Sequence, residues 1–284
     1  MFDLMIQLSQ LALPVFIFST MLNVGMTQDP QRIIRHWRDW PFILKVLLAN
    51  FVGAPLAMWL LLRIFPMTDI FDAALLLFAL SAGAPMLIKL TAVSGHDIAL
   101  GASTMMLLVL GTMVAVPLAL PQLLPELAVD GGALAWLLLS QLLLPMVLGA
   151  LLAHFAPTLD SRLQPWVRRV SNIALYLLLV STIIGYLPVT LPIVRSGALA
   201  LGMAFILVAF GMGWLAGYGQ DHLEDVGGLA TAQRNTAASM LIASGGFSDP
   251  DVFVLITLLN TLGLVLLIVI AKGLKRDNAE IVLV

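Results

Sequence analysis

The stretch Gly227–Gly246, GGLATAQRNTAASMLIASGG, decides how the rest of the chain is understood. It has the length and small apolar residues of a membrane span, yet its centre is a polar block that contains Thr231, Gln233, Arg234, Asn235 and Thr236. A cation at the bilayer centre costs about 2.5–3.5 kcal/mol on insertion scales, so such residues usually face a cavity or a partner. The block is therefore interpreted as a functional site, and the simpler alternative is a polar patch that joins helices.

The composition is that of an integral membrane protein. Of 284 residues, 61% are hydrophobic and 11% are charged, and the mean hydropathy is +1.03. A soluble domain has about 25% charged residues. The net charge of −2 suggests no nucleic-acid partner, and the lack of cysteine excludes disulfides, thiolate metal sites and cysteine nucleophiles. The segment Met1–Gln10 lacks the basic start of a signal peptide, so the first apolar run is predicted to be a retained span.

Hydropathy predicts an all-α polytopic membrane protein with about nine transmembrane helices. Each apolar run is near the roughly 20 residues that a bilayer requires, and is too long for a barrel strand. The predicted spans are 4–26, 42–65, 70–93, 97–121, 132–156, 166–187, 193–218, 227–246 and 250–272. They form a single transporter domain over residues 1–284, with a first half of about 1–121 and a second half of about 132–284.

The basic residues predict the orientation of these spans. Three clusters follow spans one, five and nine, namely Arg32, Arg35 and Arg38; Arg162, Arg168 and Arg169; and Lys272, Lys275 and Arg276. With nine spans all three clusters lie on one side of the membrane, and the positive-inside rule makes that side the cytoplasm. We therefore expect a multi-pass protein of a bacterial-type inner (plasma) membrane, with the N-terminus outside and the C-terminus inside.

Two of the predicted spans are interrupted by residues that weaken a helix. Span three contains Ser81–Pro85 (SAGAP) and then Lys89, a second cation at membrane depth. Span eight contains the polar block. The two spans are separated by five positions in the span order, so the halves that contain them have opposite orientations. Paired broken segments in two inverted halves are typical of a transporter binding site. A simple proline kink at Pro85 is the alternative.

Four segments, taken with the span count, resemble the bile acid:sodium symporter superfamily. They are Pro14–Trp37, Ser81–Gly101 (SAGAPMLIKLTAVSGHDIALG), Leu143–Phe155 (LLPMVLGALLAHF) and Ala230–Ala243 (ATAQRNTAASMLIA), and they occur in the family's order. The resemblance implies a panel domain and a core domain, with spans three and eight crossing in the core. It also implies transport of an organic anion, such as a carboxylate or a bile-acid or steroid-like compound, usually with sodium.

The sequence departs from the family at the residues that hold sodium. If Asn235 is aligned with the family's asparagine, Ala230 stands where a sodium-binding glutamate belongs and Arg234 where a glutamine belongs. The run Ala82–Leu87 (AGAPML) also lacks the Ser and Asn ligands of the first crossing. Lys89 and Arg234 are instead expected near the crossing, where a fixed cation opposes sodium and neutralises carbonyl ends. Their expected partners are backbone carbonyls, Gln233, Asn235, Thr236 and Asn260.

The remaining polar residues leave several readings open. Asp97 is interpreted as the cap of the next helix, and a proton site at His96 and Asp97 is the alternative. Asn260 either faces the crossing or bonds a neighbouring helix, and Asn50 is a similar case. The four histidines have no metal-ligand spacing, and the chain has no H-E-x-x-H or G-x-S-x-G motif. Neither a metal nor a cofactor is therefore predicted.

The sequence thus predicts a sodium-independent secondary transporter of an organic anion that works by alternating access. Lys89 and Arg234 replace the sodium ions, and the predicted substrate or ion site comprises Lys89, Arg234, Gln233, Asn235, Thr236, Pro85 and Asn260. The alternatives are a sodium-coupled symporter of the same family, a membrane sensor on a transporter fold and, less favoured, a membrane enzyme. Proton coupling, exchange and uniport all stay open, as does the choice between monomer and homodimer.

Overall fold

The computed structural model describes residues 2–28, 36–37, 39–123, 130–247 and 249–275. Within these ranges the chain is helical. The helices are α1 (Phe2–Thr27), α2 (Trp40–Ile64), α3 (Asp69–Leu80), α4 (Met86–Val93), α5 (Ile98–Leu123), α6 (Gly131–Phe155), α7 (Pro157–Gly185), α8 (Leu187–Arg195), α9 (Ala198–Ala216), α10 (Asp221–Ala232), α11 (Thr236–Gly246) and α12 (Pro250–Gly273). One π-helical turn lies within α2, at Ala49–Gly53, and another within α6, at Leu139–Leu143.

Seven helices of the described residues are long and apolar enough to cross a membrane. They are α1, α2, α5, α6, α7, α9 and α12, and they match seven of the nine predicted spans. The other two predicted spans are not single helices, because each consists of a pair of shorter helices, α3 with α4 and α10 with α11. Hydropathy reports the apolar character of a segment and not the continuity of its backbone, so it counts each pair as one span.

Three helix boundaries differ from the predicted spans, two of them because polar helical turns carry no hydropathy signal. α7 begins at Pro157 instead of residue 166, and proline is favoured at the first position of a helix. α10 begins at Asp221 instead of residue 227. Predicted span seven starts within the separate short helix α8, and Gly197, with φ +84°, lies between α8 and α9.

Helix α1 packs most closely against α6 and α7. Gly25 of α1 lies directly against the backbone of Met146 and Ala150 in α6, and Gly149 of α6 lies against Leu22. The hydroxyls of Thr20 and Ser171 are 2.6 Å apart and join α1 to α7. Small residues allow this close backbone approach, which is the usual packing mode of membrane helices. These three helices therefore form one packed group.

The second group surrounds α3, α4, α10 and α11. Helices α9 and α10 are in close contact where the backbones of Gly213 and Gly227 meet. Helix α12 packs against α3, α4, α9 and α11, and α5 packs against α3, α4 and α10. The two pairs of short helices are consequently enclosed by continuous helices, which places the polar block of α10 and α11 in the buried interior.

Three connections and the end of α12 meet at one end of the molecule. His36 Nε2 lies 3.2 Å from Asp97 Oδ2, and His96 Nε2 lies 3.2 Å from Asp225 Oδ2. Lys275, after α12, lies near Gly95. The α1–α2, α4–α5 and α9–α10 connections and the end of α12 thus share one side, as an odd number of crossings requires. Arg32, Arg35, Arg38 and Arg276, which the orientation argument uses, lie outside the described residues.

Candidate functional site at the helix crossing

The two interrupted segments pair with each other through their backbones. Ala82, between α3 and α4, and Arg234, between α10 and α11, form an antiparallel β-bridge. The backbone N–H of Asn235 donates to the carbonyl of Ser81 at 2.9 Å. Backbone polar groups inside a membrane protein must find partners within the protein, and irregular backbone occurs there only when it is buried or lines a cavity. The bridge supplies these partners at the point where both segments leave the helical conformation.

Side chains satisfy the other backbone groups of the crossing. The Thr112 hydroxyl of α5 accepts from the N–H of Ala82 and donates to its carbonyl, both at 2.9 Å. Asn235 donates from Nδ2 to the carbonyl of Gly83 at 3.1 Å, while its Oδ1 accepts from the N–H of Ala238 at 3.1 Å. Asn235 is therefore the N-cap of α11 and also a link between the two interrupted segments.

Arg234 lies at the centre of the crossing and is 1% exposed. Its Nη1 donates to Asn50 Oδ1 at 2.7 Å and to the Thr231 carbonyl at 2.9 Å. Its Nε donates to the Phe78 carbonyl at 3.4 Å, and Nη2 donates to the Ala79 carbonyl. These contacts use four of the five N–H donors that a guanidinium carries. In the described part of the chain, no carboxylate lies within ion-pair distance of Arg234.

The carbonyls that Arg234 contacts belong to the C-terminal turns of two different helices. Phe78 and Ala79 are in the last turn of α3, and Thr231 is in the last turn of α10. The last carbonyls of a helix have no intrahelical donor and carry partial negative charge from the helix dipole. Two such ends converge at the crossing, and one guanidinium supplies both the hydrogen bonds and the positive charge that they lack.

Asn50 is the side chain that accepts a hydrogen bond from the Arg234 guanidinium. It is fully buried in the π-helical turn of α2 and donates from Nδ2 to the Val46 carbonyl at 2.9 Å and to Thr231 Oγ1 at 3.0 Å. These donations leave Oδ1 facing Arg234. Isolated π-helical turns often lie at functional sites because they redirect one side chain. Asn50 therefore belongs to the site, although the sequence favours it only as a bond between helices.

A narrow cleft lies beside the crossing. Its polar lining comes from Gln233, Arg234, Thr236 and Asn260, and its apolar lining includes Phe78 and Leu267. Thr236 Oγ1 donates to Asn260 Oδ1 at 2.6 Å and so joins α11 to α12. Gln233 donates to the carbonyl of Arg234, but its buried Oε1 accepts no hydrogen bond from the residues that the structure describes. Its free internal volume is about 10 Å³, which is the space of about one water molecule, so the cleft is almost closed in this conformation.

Of the predicted site residues, five come together and Lys89 does not join them. Arg234, Gln233, Asn235 and Thr236 lie at the crossing, and Asn260 is bonded to Thr236. Pro85 is the residue before α4 and so ends the first interruption. Lys89 lies one turn further along α4 with an exposed side chain, and none of the hydrogen bonds that hold the crossing involves it. The structure therefore places only one of the two cations among the groups that hold the crossing.

The side chains of His96 and Asp97 contact different partners. Asp97 Oδ1 accepts from the N–H of Ala99 at 2.8 Å, which is the capping contact that the sequence predicts for α5. His96 pairs with Asp225 of α10, and both side chains are 7% exposed. In the sequence, Asp225 falls between predicted spans seven and eight. The pair connects the end of α4 to the first turns of α10, and thus joins the two interrupted segments a second time.

The burial of the His96–Asp225 pair leads to a test by comparison with His36–Asp97. The two pairs have the same chemistry and the same 3.2 Å separation, but the exposed fractions of the second pair are 26% and 59%. We expect double-mutant cycles with His→Gln and Asp→Asn to give a coupling energy of about 1–3 kcal/mol for the buried pair and below about 1 kcal/mol for the exposed pair. Thermal unfolding in detergent measures both cycles, and equal couplings would contradict a structural role for the buried pair.

Two residues of the site carry no signal in the sequence that separates them from structural ones. Thr112 is one of three hydroxyl residues in the apolar helix α5, and Asn50 is the one amide of α2. Their partners are 30 and 184 residues away in the chain.

The crossing of two interrupted helices inside a multi-pass bundle indicates a membrane carrier. The sequence matches the Sodium Bile acid symporter family over residues 14–191, which is more than half of the chain. The chain therefore belongs to this family, whose members are membrane transporters of the bile acid symporter type. The matched segment includes the first interruption and ends before the second one. A search of curated proteins found no match.

Proposed function

We propose that this protein is a secondary transporter of an organic anion that works without sodium, with Arg234 in the place of the coupling ion. The observation that carries the proposal is the set of contacts from Arg234 to the last turns of α3 and α10 and to Asn50. A bound sodium would supply positive charge to such carbonyl and amide oxygens. Here a covalently attached cation occupies that position permanently.

Electrostatics opposes a second cation at this position. Two unit charges about 4 Å apart repel by about 4 kcal/mol at an effective dielectric constant of 20. Three carbonyl oxygens and Asn50 Oδ1 are already used by Arg234, Thr236 and Asn260 are bonded to each other, and Ala230, which is fully buried, brings no carboxylate. This favours sodium independence over the alternative, a sodium-coupled symporter of the same family. The Gln233 Oε1 acceptor is one oxygen, which is too few for a sodium cage.

Two features favour an anion as the substrate. The N-terminal ends of α4 and α11 point to the crossing, and helix N-termini are favourable positions for negative charge. Thr236 and Asn260 bring polar groups to the cleft, and no acidic residue lines it among the described residues. The exposed cation of Lys89 lies one turn from Pro85 and is proposed to attract the anion rather than to replace an ion.

The proposed mechanism is alternating access between two domains. We assign α1, α6 and α7 to a panel, because they pack closely on each other, and the helices around the crossing to a core. The two interrupted segments, paired antiparallel, are proposed as the corresponding parts of inverted repeats. The core then moves as one body, since the Arg234 contacts and the His96–Asp225 pair both hold its two halves together.

The proposed orientation follows the sequence argument. The end where His36, His96, Asp225 and Lys275 meet is assigned to the cytoplasm of a bacterial-type inner membrane, with the N-terminus outside. Proton coupling stays one of the alternatives, and in that case His96 acts with Asp225 instead of Asp97. The second class of function is a membrane sensor on the same fold. Such a sensor would bind the anion at the cleft without transporting it.

Sodium independence is tested on the purified protein. We expect the same melting temperature in sodium chloride and in choline chloride at equal ionic strength, because Arg234 already fills the ion position. We also expect equal uptake of a panel of small carboxylates into proteoliposomes in the two salts. A stabilisation or an uptake that saturates with sodium concentration would overturn the proposal. Anion binding without uptake in either salt would support the sensor instead.

A further inference from the structure

Helix α7 is longer than a membrane requires. Its 29 residues extend over about 43 Å at 1.5 Å per residue, whereas the hydrocarbon core is about 30 Å thick. The excess of about 13 Å, or roughly nine residues, lies at the end that contains Arg162, and Arg168 and Arg169 follow near the hydrocarbon boundary, from which their long side chains reach the headgroups. This end of the helix lies at the level of lipid headgroups.

The rotation of α7 about its axis is fixed by its contacts with α1. Gln164 Nε2 donates to Asn23 Oδ1 at 3.1 Å, and Ser171 is bonded to Thr20. The buried residues of the remainder of the helix, from Ala174 to Gly185, continue this inward side. With 3.6 residues per turn, Arg162, Trp166 and Arg169 lie on the opposite side of the helix from Gln164 and Ser171. They therefore face away from the protein.

The outward side has two chemically different parts. At the headgroup end, Arg162, Trp166 and Arg169 are exposed, and the Arg169 guanidinium lies 5.9 Å from the centre of the Trp166 ring. Toward the membrane centre the same side continues as an exposed apolar stripe of Ile173, Tyr176, Leu177 and Val180. Two guanidinium groups at one end and a stripe of apolar side chains at the other complement a phosphate headgroup and an acyl chain.

From this arrangement we propose that the Arg162–Trp166–Arg169 side of α7 is a binding site for an anionic phospholipid, with the phosphate at the two arginines and an acyl chain along the apolar stripe. Arg168 is exposed on a different side of the same helix and is not part of the site. Bound lipid would hold α7 at a fixed depth, and α7 carries α1 with it through their hydrogen bonds. The proposal does not depend on which substrate the protein transports or on sodium.

The test compares three single variants that remove the same charge from the same helix. Arg162→Gln, Arg169→Gln and Arg168→Gln proteins are purified in detergent, exposed to phosphatidylglycerol or phosphatidylcholine, and analysed by native mass spectrometry. We expect wild type and Arg168→Gln to retain phosphatidylglycerol over phosphatidylcholine. The other two variants should bind phosphatidylglycerol roughly fivefold more weakly, since each arginine near a headgroup contributes on the order of 1 kcal/mol.

Three outcomes would overturn the proposal. One is an equal loss in all three variants, which would show attraction by net charge and not a site. Another is equal retention of the zwitterionic lipid. The third is displacement of phosphatidylglycerol by inorganic phosphate at similar concentration, which would show that the acyl chain makes no contact. All of the substituted side chains are exposed, so folding is not expected to limit the comparison.

Discussion

Replacing Arg234 by alanine is expected to destabilise the protein strongly and to abolish anion transport. The substitution leaves the carbonyls of Phe78, Ala79 and Thr231 and the Asn50 oxygen buried without their donor. Removing one partner of a buried charged network typically costs about 3–5 kcal/mol, and each stranded polar group adds to the penalty. The two negative helix ends also lose the charge that holds them together.

Two further substitutions at this position separate charge from geometry. Arg234→Lys keeps the positive charge but cannot bond both helix ends and Asn50 at once, since an ammonium lacks the planar fork. Arg234→Gln removes the charge and keeps a polar side chain. We expect the order of stability wild type, lysine, glutamine, alanine, measured by thermal unfolding in detergent. Arg195→Ala, which removes an exposed arginine at the end of α8, is the control and should leave stability nearly unchanged.

If Arg234 replaces sodium, the response of these proteins to sodium should also change. If the positive charge of Arg234 neutralises the helix ends, sodium should have no effect on the stability of the wild type. Sodium should partly stabilise the combined Ala230→Glu and Arg234→Gln variant. That variant restores a carboxylate and an amide where the resemblance expects them, although the missing ligands near Ala82–Leu87 limit the gain. An Arg234→Ala protein as stable as wild type would refute the structural role assigned to this residue.

Replacing Gly83 by alanine is the second substitution for which a large effect is expected. Gly83 has φ +80°, a conformation that residues with a Cβ rarely adopt. A Cβ at this position would also overlap backbone atoms of Leu108, Val109 and Met105 in α5, and backbone cannot rotate away as a side chain can. Strain and overpacking of this kind together cost about 3–5 kcal/mol. The crossing would separate, and the Asn235 contact with the Gly83 carbonyl would be lost.

Two other glycines isolate the causes of that effect. Gly219 has φ +92° with no atom near its hypothetical Cβ, so Gly219→Ala shows the conformational strain alone. Gly211 lies within α9 with the same open space, so Gly211→Ala should be neutral or slightly stabilising. Thermal unfolding of the three variants is expected to rank Gly83→Ala as clearly the least stable. A loss at Gly83 no larger than that at Gly219 would show that the contact with α5 is not as tight as described.

The two interruptions illustrate what can be predicted from sequence and what cannot. The Ser81–Pro85 segment combines glycine and proline inside an apolar run, and the Gln233–Thr236 segment combines polar groups inside another, so both breaks are predictable from local composition. Their pairing is consistent with the predicted opposite orientation of the two halves. The predicted equivalence of Lys89 and Arg234 rested on similar depth alone. Depth does not determine burial, and the structure leaves the Lys89 side chain exposed while it buries the Arg234 side chain in the crossing.

The membrane class, the positions of the apolar segments and the presence of a costly cation in one of them can all be predicted from local composition. These properties depend on how well each segment is solvated by lipid or water, and the residues of the segment itself set that solvation. The contacts of the Arg234 side chain cannot be predicted in this way, because its partners Ala79, Phe78 and Asn50 lie 155, 156 and 184 residues away in the chain. The partial negative charge of a helix C-terminus comes from backbone carbonyls, so no residue type in the sequence shows which helix ends will come together. That meeting is set by the packing of α2, α3 and α10, and it makes Arg234 the residue that holds the crossing together.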